Sequence, residues 1–241
     1  MSQSVTYRSE GPIARIALDD GKVNALSSAT LQELHDAFGR AERDKSMVLL
    51  SGRPGIFSAG FDLRVLMGSD ADAIHAMLKL GAELALRVLT FPLPVVVACT
   101  GHAFPMGAFL MLAADIRIGA EGPFKIGLNE VAIGISVPAF GVELARQRLA
   151  PAWLHRTTLT GEMFSPHDAA TAGFLDRVVP AEDLQAAAEA AAQSLTRINL
   201  EGHVATKRRL RSGAAEAVRR AIDAEIVLDD YRRRIAERAA A

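Results

Sequence analysis

The sequence predicts an α/β fold. Over the first 140 residues, short apolar runs of strand length alternate with stretches whose apolar residues recur at helical spacing. Glycine, proline and aspartate clusters punctuate these runs, as expected for short crossover connections. Half of the residues are apolar but only 5% are aromatic, so small and aliphatic side chains must fill the interior. In chain order, residues 5–8 and Ile13–Leu18 alternate around Gly11-Pro12 and read as a hairpin. The turn Asp19-Asp20-Gly21-Lys22 leads into Val23-Asn24-Ala25-Leu26. Thr30, with Glu33 three residues on, reads as a capping box ahead of Leu31, Leu34, Ala37, Phe38 and Ala41. A strand at Met47–Ser51 ends in Gly52-Arg53-Pro54-Gly55. The rhythm continues with a helix over 70–89, a strand over 93–99, a helix over 107–114 and a strand over 115–119.

Beyond Pro138 strands nearly vanish. Residues 142–149, 151–160, Pro166–Ala172 and 182–198 read as helices, with a short extended stretch at 175–179 between the last two. Residues 201–241 read as one charge-rich helix. On it Val218, Ile222, Ile226, Leu228, Tyr231 and Ile235 form an apolar stripe that must be covered, by its own domain or by another subunit. This divides the chain into a core over 1–180 and a helical region over 181–241.

Composition narrows the function classes. The 241 residues carry a net charge of −1, so no global field favours nucleic acid or an acidic membrane. No run of about 18 apolar residues exists to span a bilayer. The N-terminus lacks a basic stretch followed by an apolar one, and the single cysteine, Cys99, sits in an apolar strand run and cannot pair within the chain. A cytoplasmic location is expected. The six histidines (His35, His75, His102, His155, His167, His203) show no metal-like spacing, and neither a P-loop nor a dinucleotide glycine fingerprint is present. The run Lys207-Arg208-Arg209-Leu210-Arg211 reads as a solvated helix face.

Three segments carry chemistry. In Phe57-Ser58-Ala59-Gly60-Phe61-Asp62-Leu63, small residues let the main chain approach a ligand; Gly60 can adopt positive φ and turn the next N–H outward, and Asp62 would start a helix. In Gly101-His102-Ala103-Phe104-Pro105-Met106-Gly107, an N–H near Met106 or Gly107 lies at the start of an apolar helix, where unpaired donors favour negative charge. Gly127-Leu128-Asn129-Glu130 supplies a carboxylate among apolar neighbours, which would raise its pKa. Two convergent N–H groups and one base suit proton abstraction beside a carbonyl.

Together these segments resemble the crotonase, or enoyl-CoA hydratase/isomerase, superfamily. The likeness extends to Lys22-Val23-Asn24-Ala25-Leu26, Gly134-Ile135-Ser136-Val137-Pro138, Leu159-Thr160-Gly161-Glu162 and Ala169 through Asp176, in family order. It implies a crotonase-type ββα spiral core with a C-terminal helical trimerisation region, assembled as a homotrimer or a dimer of trimers. It implies an acyl-CoA thioester substrate, with coenzyme A as part of the substrate and no separate cofactor or metal. The backbone N–H groups of Phe61 and Met106 would bind the thioester oxygen; most members carry glycine where Met106 stands. Lys22, Ala25, Ala59, Gly60, Asp62, Leu63, Gly107 and Phe109 fall at substrate-binding positions, and Lys22 would meet CoA phosphate, the run Lys207–Arg211 being the alternative for that contact, from a neighbouring subunit. Hydratases of the family use two glutamates. The first position is Phe109 here and the second is Glu130. One glutamate suffices to move a double bond, and the local motifs are most similar to the 3,2-trans-enoyl-CoA isomerases; the alternatives the resemblance leaves open are a hydratase-like, hydrolytic or decarboxylating thioester reaction and a non-catalytic acyl-CoA binder.

Overall fold

The computed structural model describes residues 3–240, with side chains to residue 237. The hairpin is β1 (Val5–Glu10) and β2 (Ile13–Leu18), in antiparallel register from Val5↔Leu18 to Glu10↔Ile13. β3 (Ala25–Leu26) precedes α1 (Ser28–Arg43). Then β4 (Met47–Ser51), β5 (Gly55–Ser58) and β6 (Gly60–Phe61) lead to α2 (Leu63–Leu66) and α3 (Ala71–Thr90). β7 (Val95–Cys99) and β8 (Gly101–Ala103) feed α4 (Pro105–Ala113), followed by β9 (Ile116–Ala120) and β10 (Ile126–Gly127). The remainder comprises α5 (Ala139–Arg148), α6 (Pro151–Leu159), β11 (Met163–Phe164), α7 (Pro166–Ala172), β12 (Arg177–Val179), α8 (Leu184–Leu195), α9 (Leu200–Glu225) and α10 (Leu228–Ala240).

The main sheet has six strands in the order β1-β2-β4-β7-β9-β12, parallel except for the hairpin. Its central strands are apolar without interruption because both faces are covered. Val48, Leu50, Val95, Val97 and Cys99 face the large core shared with α1, α3 and α4. The alternate residues Met47, Leu49, Val96, Ala98 and Ile118 face the other way, onto Leu184, Ala188 and Ala192 of α8. A second sheet, β11-β10-β8-β5, and the short pair β3-β6 carry the loops that matter for function.

Three local expectations change. Helix α1 is capped by Ser27, whose side chain accepts from Thr30 N, and Glu33 instead takes the main-chain N–H groups of Ser4 and Val5, each at 2.9 Å. The capping box therefore fails because an earlier serine captures the role and the glutamate is needed to anchor the N-terminal strand. Second, the C-terminal helix is two helices, broken at Ile226, whose φ −94° and ψ 68° leave helical geometry. The apolar stripe is spent on its own chain: Val218, Ile222 and Ile226 are buried in the main core, and Tyr231 packs on its edge.

The third change concerns the basic run. Lys207 and Arg211 are buried, not solvated, one helical turn apart on α9. Asp115, in the link from α4 to β9, accepts from Lys207 Nζ at 2.7 Å and pairs with Arg211 at 3.0 Å. Arg211 also donates to the carbonyls of Leu89, Ala113 and Ala114, at the C-terminal ends of α3 and α4. Unpaired carbonyls and the negative end of the helix dipole stabilise a cation there. These contacts fix α9 against the helix that bears Met106 and engage both cations within the fold. Arg208, Arg209 and Leu210 do face solvent.

Candidate active site

The first turn is built by β5 and β6. Gly60 has φ +85°, a left-handed conformation that glycine adopts without steric cost. Its geometry is pinned from below: Asn24 is buried and donates its side-chain amide to the carbonyls of Leu18, at 2.9 Å, and Phe57, at 3.1 Å. Ser58 Oγ donates to Asn24 O at 2.8 Å and accepts from Gly60 N at 3.1 Å. Asp62 N donates to Leu26 O across the β3-β6 pair. The alternation of a parallel ladder then turns the N–H of Phe61 away from that partner strand.

The second turn enters α4. Pro105 occupies its first position, and Phe104 offers no side-chain cap. The N–H of Met106, next in line, belongs to the first-turn group that no intrahelical carbonyl can accept. The two turns are zipped together: Phe104 N donates to Ser58 O at 2.9 Å, and a Cβ on Gly60 would lie 3.6 Å from Met106 N. The donor of Met106 and the turn that presents Phe61 therefore sit side by side. Glycines make the approach possible. A Cβ at Gly107 would lie 2.8 Å from Ser58 Cβ, and one at Gly81 only 2.4 Å from the Phe61 ring and 3.2 Å from Met106 Sδ.

Both turns border a cavity of about 430 Å³. Ala59, Gly60, Phe61, Leu63, Phe104, Pro105, Phe109 and Glu130 line it, so six of the positions singled out in the sequence converge there. Glu130 is 4% exposed, and neither carboxylate oxygen has a hydrogen-bond partner. It caps the short 3-10 turn Val131–Ile133 that follows β10. Burial pushes its carboxyl up to about 7, from 4.5 for an exposed glutamate. An orphaned carboxyl in an apolar site costs several kcal/mol unless a ligand uses it. Phe109 also lines the cavity, its ring 5.3 Å from Phe140 in an edge-to-face contact. Gly141 leaves room for that ring, since a Cβ there would lie 2.4 Å from Phe109 Cζ.

Residues 8–235 match the family described as Enoyl-CoA hydratase/isomerase. The chain belongs to this family. Mouse mitochondrial enoyl-CoA delta isomerase 1 is 31% identical over 231 residues, covering 93% of this chain and 80% of the relative. Carnitinyl-CoA dehydratase of Salmonella typhi is 32% identical over 199 residues, covering 81% and 75%. Among solved structures, an enoyl-CoA hydratase/isomerase family protein from Pseudomonas syringae superposes with TM-score 0.90 at 44% identity, covering 92% of this chain and 96% of the other. The fold is that of the crotonase-type enoyl-CoA hydratase/isomerases, and the protein is an enzyme of that family.

Within this family frame, five sequence-derived positions do not line the cavity: Met106, whose side chain is buried in the core, and Asp62, Gly107, Ala25 and Lys22. Asp62 caps α2, its side chain accepting from Arg64 N and pairing with the Arg64 guanidinium at 2.9 Å. Gly107 packs on Ser58 behind the turn. Ala25 pairs with Gly60 and donates its N–H to Asp20 Oδ2, and the N–H groups of Lys22 and Asn24 go to Asp20 Oδ1. The Lys22–Leu26 segment thus scaffolds the first turn, while the Lys22 side chain stands in solvent. Sequence reasoning missed the wall supplied by the C-terminal helices: Glu225, Ile226, Tyr231 and Arg234 also line the cavity. The break in the helical pattern at Ile226 was a usable signal, because an apolar residue at a helix corner must be buried against something. No group of three His, Cys, Asp or Glu side chains is arranged to hold a metal among the described residues, and no helix among them is long and apolar enough to cross a membrane.

Proposed function

We propose that the protein moves the double bond of a 3-enoyl-CoA to the 2-position, with Glu130 as the single proton carrier. The observation that supports this reading is the pairing of a buried, unpartnered Glu130 with Phe109 at the place of a second acid. Glu130 removes a proton from carbon 2, and the C–H electron pair spreads through the thioester carbonyl and the 3,4 double bond to give a dienolate. The dienolate oxygen accepts from the N–H groups of Phe61 and Met106, each such donor being worth about 3 kcal/mol. Glu130 then returns the proton to carbon 4, the 2,3 double bond forms, and the base is regenerated. Water takes no part, and coenzyme A enters only as part of the substrate.

Hydration would need a group to activate water and another to protonate carbon. The other carboxylate bordering the cavity, Glu225, is held through one oxygen by the N–H of Ala139 in the C-terminal wall, beside Tyr231 and Arg234. An expected consequence is that hydratase turnover with 2-enoyl-CoA lies at least about 100-fold below isomerase turnover with 3-enoyl-CoA, the scale of one proton-transfer group. Equal or faster hydration would overturn the reading in favour of a dehydratase-like chemistry. Assembly as a trimer or a dimer of trimers is part of the same proposal. Leu159 and Leu210, 66% and 74% exposed, are apolar surface for such contacts. Sedimentation should give three or six chains, and a fully active monomer would remove this part.

A further inference from the structure

The wall of the cavity supplied by α9 and α10 brings a cluster of polar side chains into a mostly apolar space whose other polar lining is Asn129, Glu130 and Ser136. Leu63, Leu66, Leu78, Phe109, Ile133 and Phe140 would surround an acyl chain with hydrocarbon. Into the same space come Glu225 at the end of α9 and Tyr231 and Arg234 on α10. Glu225 is fixed: its Oε2 accepts the N–H of Ala139 at the start of α5, at 2.5 Å. The corner beside it is held by His75 Nε2, 3.2 Å from Ile226 O, and the His75 ring packs edge-on to Tyr231 with centroids 6.0 Å apart. The Arg234 guanidinium lies 5.8 Å from the Tyr231 ring.

Among the described residues, three hydrogen-bonding groups here have no protein partner: the second oxygen of Glu225, the Tyr231 hydroxyl and the Arg234 guanidinium. A purely hydrocarbon chain seated against the half-buried Glu225 and Tyr231 would strip their water and return nothing, which is unfavourable for both, while the exposed Arg234 stays solvated at the rim. Their formal charges cancel, one carboxylate against one guanidinium. A carboxylate on the ligand would face Glu225 and an ammonium would face Arg234. A neutral group that both donates and accepts suits all three, giving its proton to Glu225 and accepting from Tyr231 or Arg234.

Resting on the acyl-CoA reading above, we propose that this wall is a subsite for a hydroxyl carried on the acyl chain away from the thioester. The enzyme would then act on hydroxylated enoyl-CoA esters in preference to plain ones.

The direct test is calorimetric binding of saturated acyl-CoA esters of equal length, one plain, one ending in a carboxylate and several hydroxylated at successive carbons. At least one hydroxylated ester should bind about 10-fold more tightly than the plain ester, the worth of one or two well-placed hydrogen bonds to charged groups. In Y231F and E225Q that advantage should fall below about 3-fold, whatever the change in overall affinity; E225Q keeps an oxygen for Ala139 and so preserves the corner. Equal binding of plain and hydroxylated esters, or tightest binding of the carboxylate ester, would overturn the subsite and leave the isomerase reading intact. Failure of every ester to bind would overturn the acyl-CoA reading and the subsite with it.

Discussion

Replacing Glu130 by glutamine should make the protein more stable at alkaline pH while removing its proposed base. The side chain is 4% exposed and without partners, and burial holds its carboxyl near 7, against 4.5 when exposed. The folded protein therefore binds the proton more tightly than the unfolded chain. The stability contribution of the protonated form is complete below about pH 4.5 and is lost as pH rises through about 7. The full penalty for ionising the buried group is about 3 kcal/mol, and about 2.5 kcal/mol of it develops between pH 5 and pH 8.5. For a chain of this size that is a relative shift of roughly 5–10 °C in melting temperature. Thermal unfolding followed by circular dichroism, for wild type and E130Q at one protein concentration, should show the variant gaining this much on wild type between the two pH values. The comparison is internal, since the fixed cost of burying an unpaired amide is the same at both. A melting-temperature difference that does not change with pH would refute the claim that Glu130 sits desolvated and ionises against its surroundings.

Further outcomes follow from other contacts. D115N leaves Lys207 and Arg211 buried without their carboxylate, so it should cost about 3–5 kcal/mol in urea unfolding, and exchanging both cations for methionine in that background should recover much of the loss. G60A forces an alanine to φ +85° beside the Met106 N–H, and kcat should drop at least about 10-fold with acyl-CoA affinity little changed. The pH profile of kcat/KM for isomerisation should fall on the acid side with a midpoint near 7, because the free enzyme must have Glu130 ionised. A limb near 4.5 would mean that the base is an exposed carboxylate and not this one.

The fold was legible because the central strands β4 and β7 are covered on both faces and so read as nearly unbroken apolar runs, and because helices such as α3 announce themselves with a cap at Asp70 and a regular apolar face. The two turns at the cavity were legible because Gly60 takes φ +85° and because Gly107 leaves room for Ser58, whose Cβ would lie 2.8 Å from a Cβ there. What a local pattern does not encode is which distant group claims a side chain. Glu33 looks like part of a capping box until the N-terminal strand arrives to use it, and Lys207 and Arg211 look like a solvated face until Asp115 and three helix-end carbonyls meet them. The main-chain N–H groups of Lys22 and Ala25 go to Asp20 and help hold the turn beneath Gly60, a role their place in a ligand-binding motif does not announce. The C-terminal wall of the cavity was the largest omission. Glu225 and Tyr231 come from residues more than ninety positions beyond Glu130 and reach the cavity only through the corner at Ile226.

The central claim is that Glu130 alone carries the proton, and single-turnover and steady-state isomerisation of 3-enoyl-CoA by E130Q test it most directly. The glutamine keeps the shape and leaves the N–H groups of Phe61 and Met106 in place, so a saturated acyl-CoA should still bind. With the base gone, kcat should fall by about 100- to 10,000-fold while KM changes little, since the lost interaction belongs to the transition state. An E130Q enzyme that retains most of its kcat would contradict the account and remove Glu130 from the mechanism.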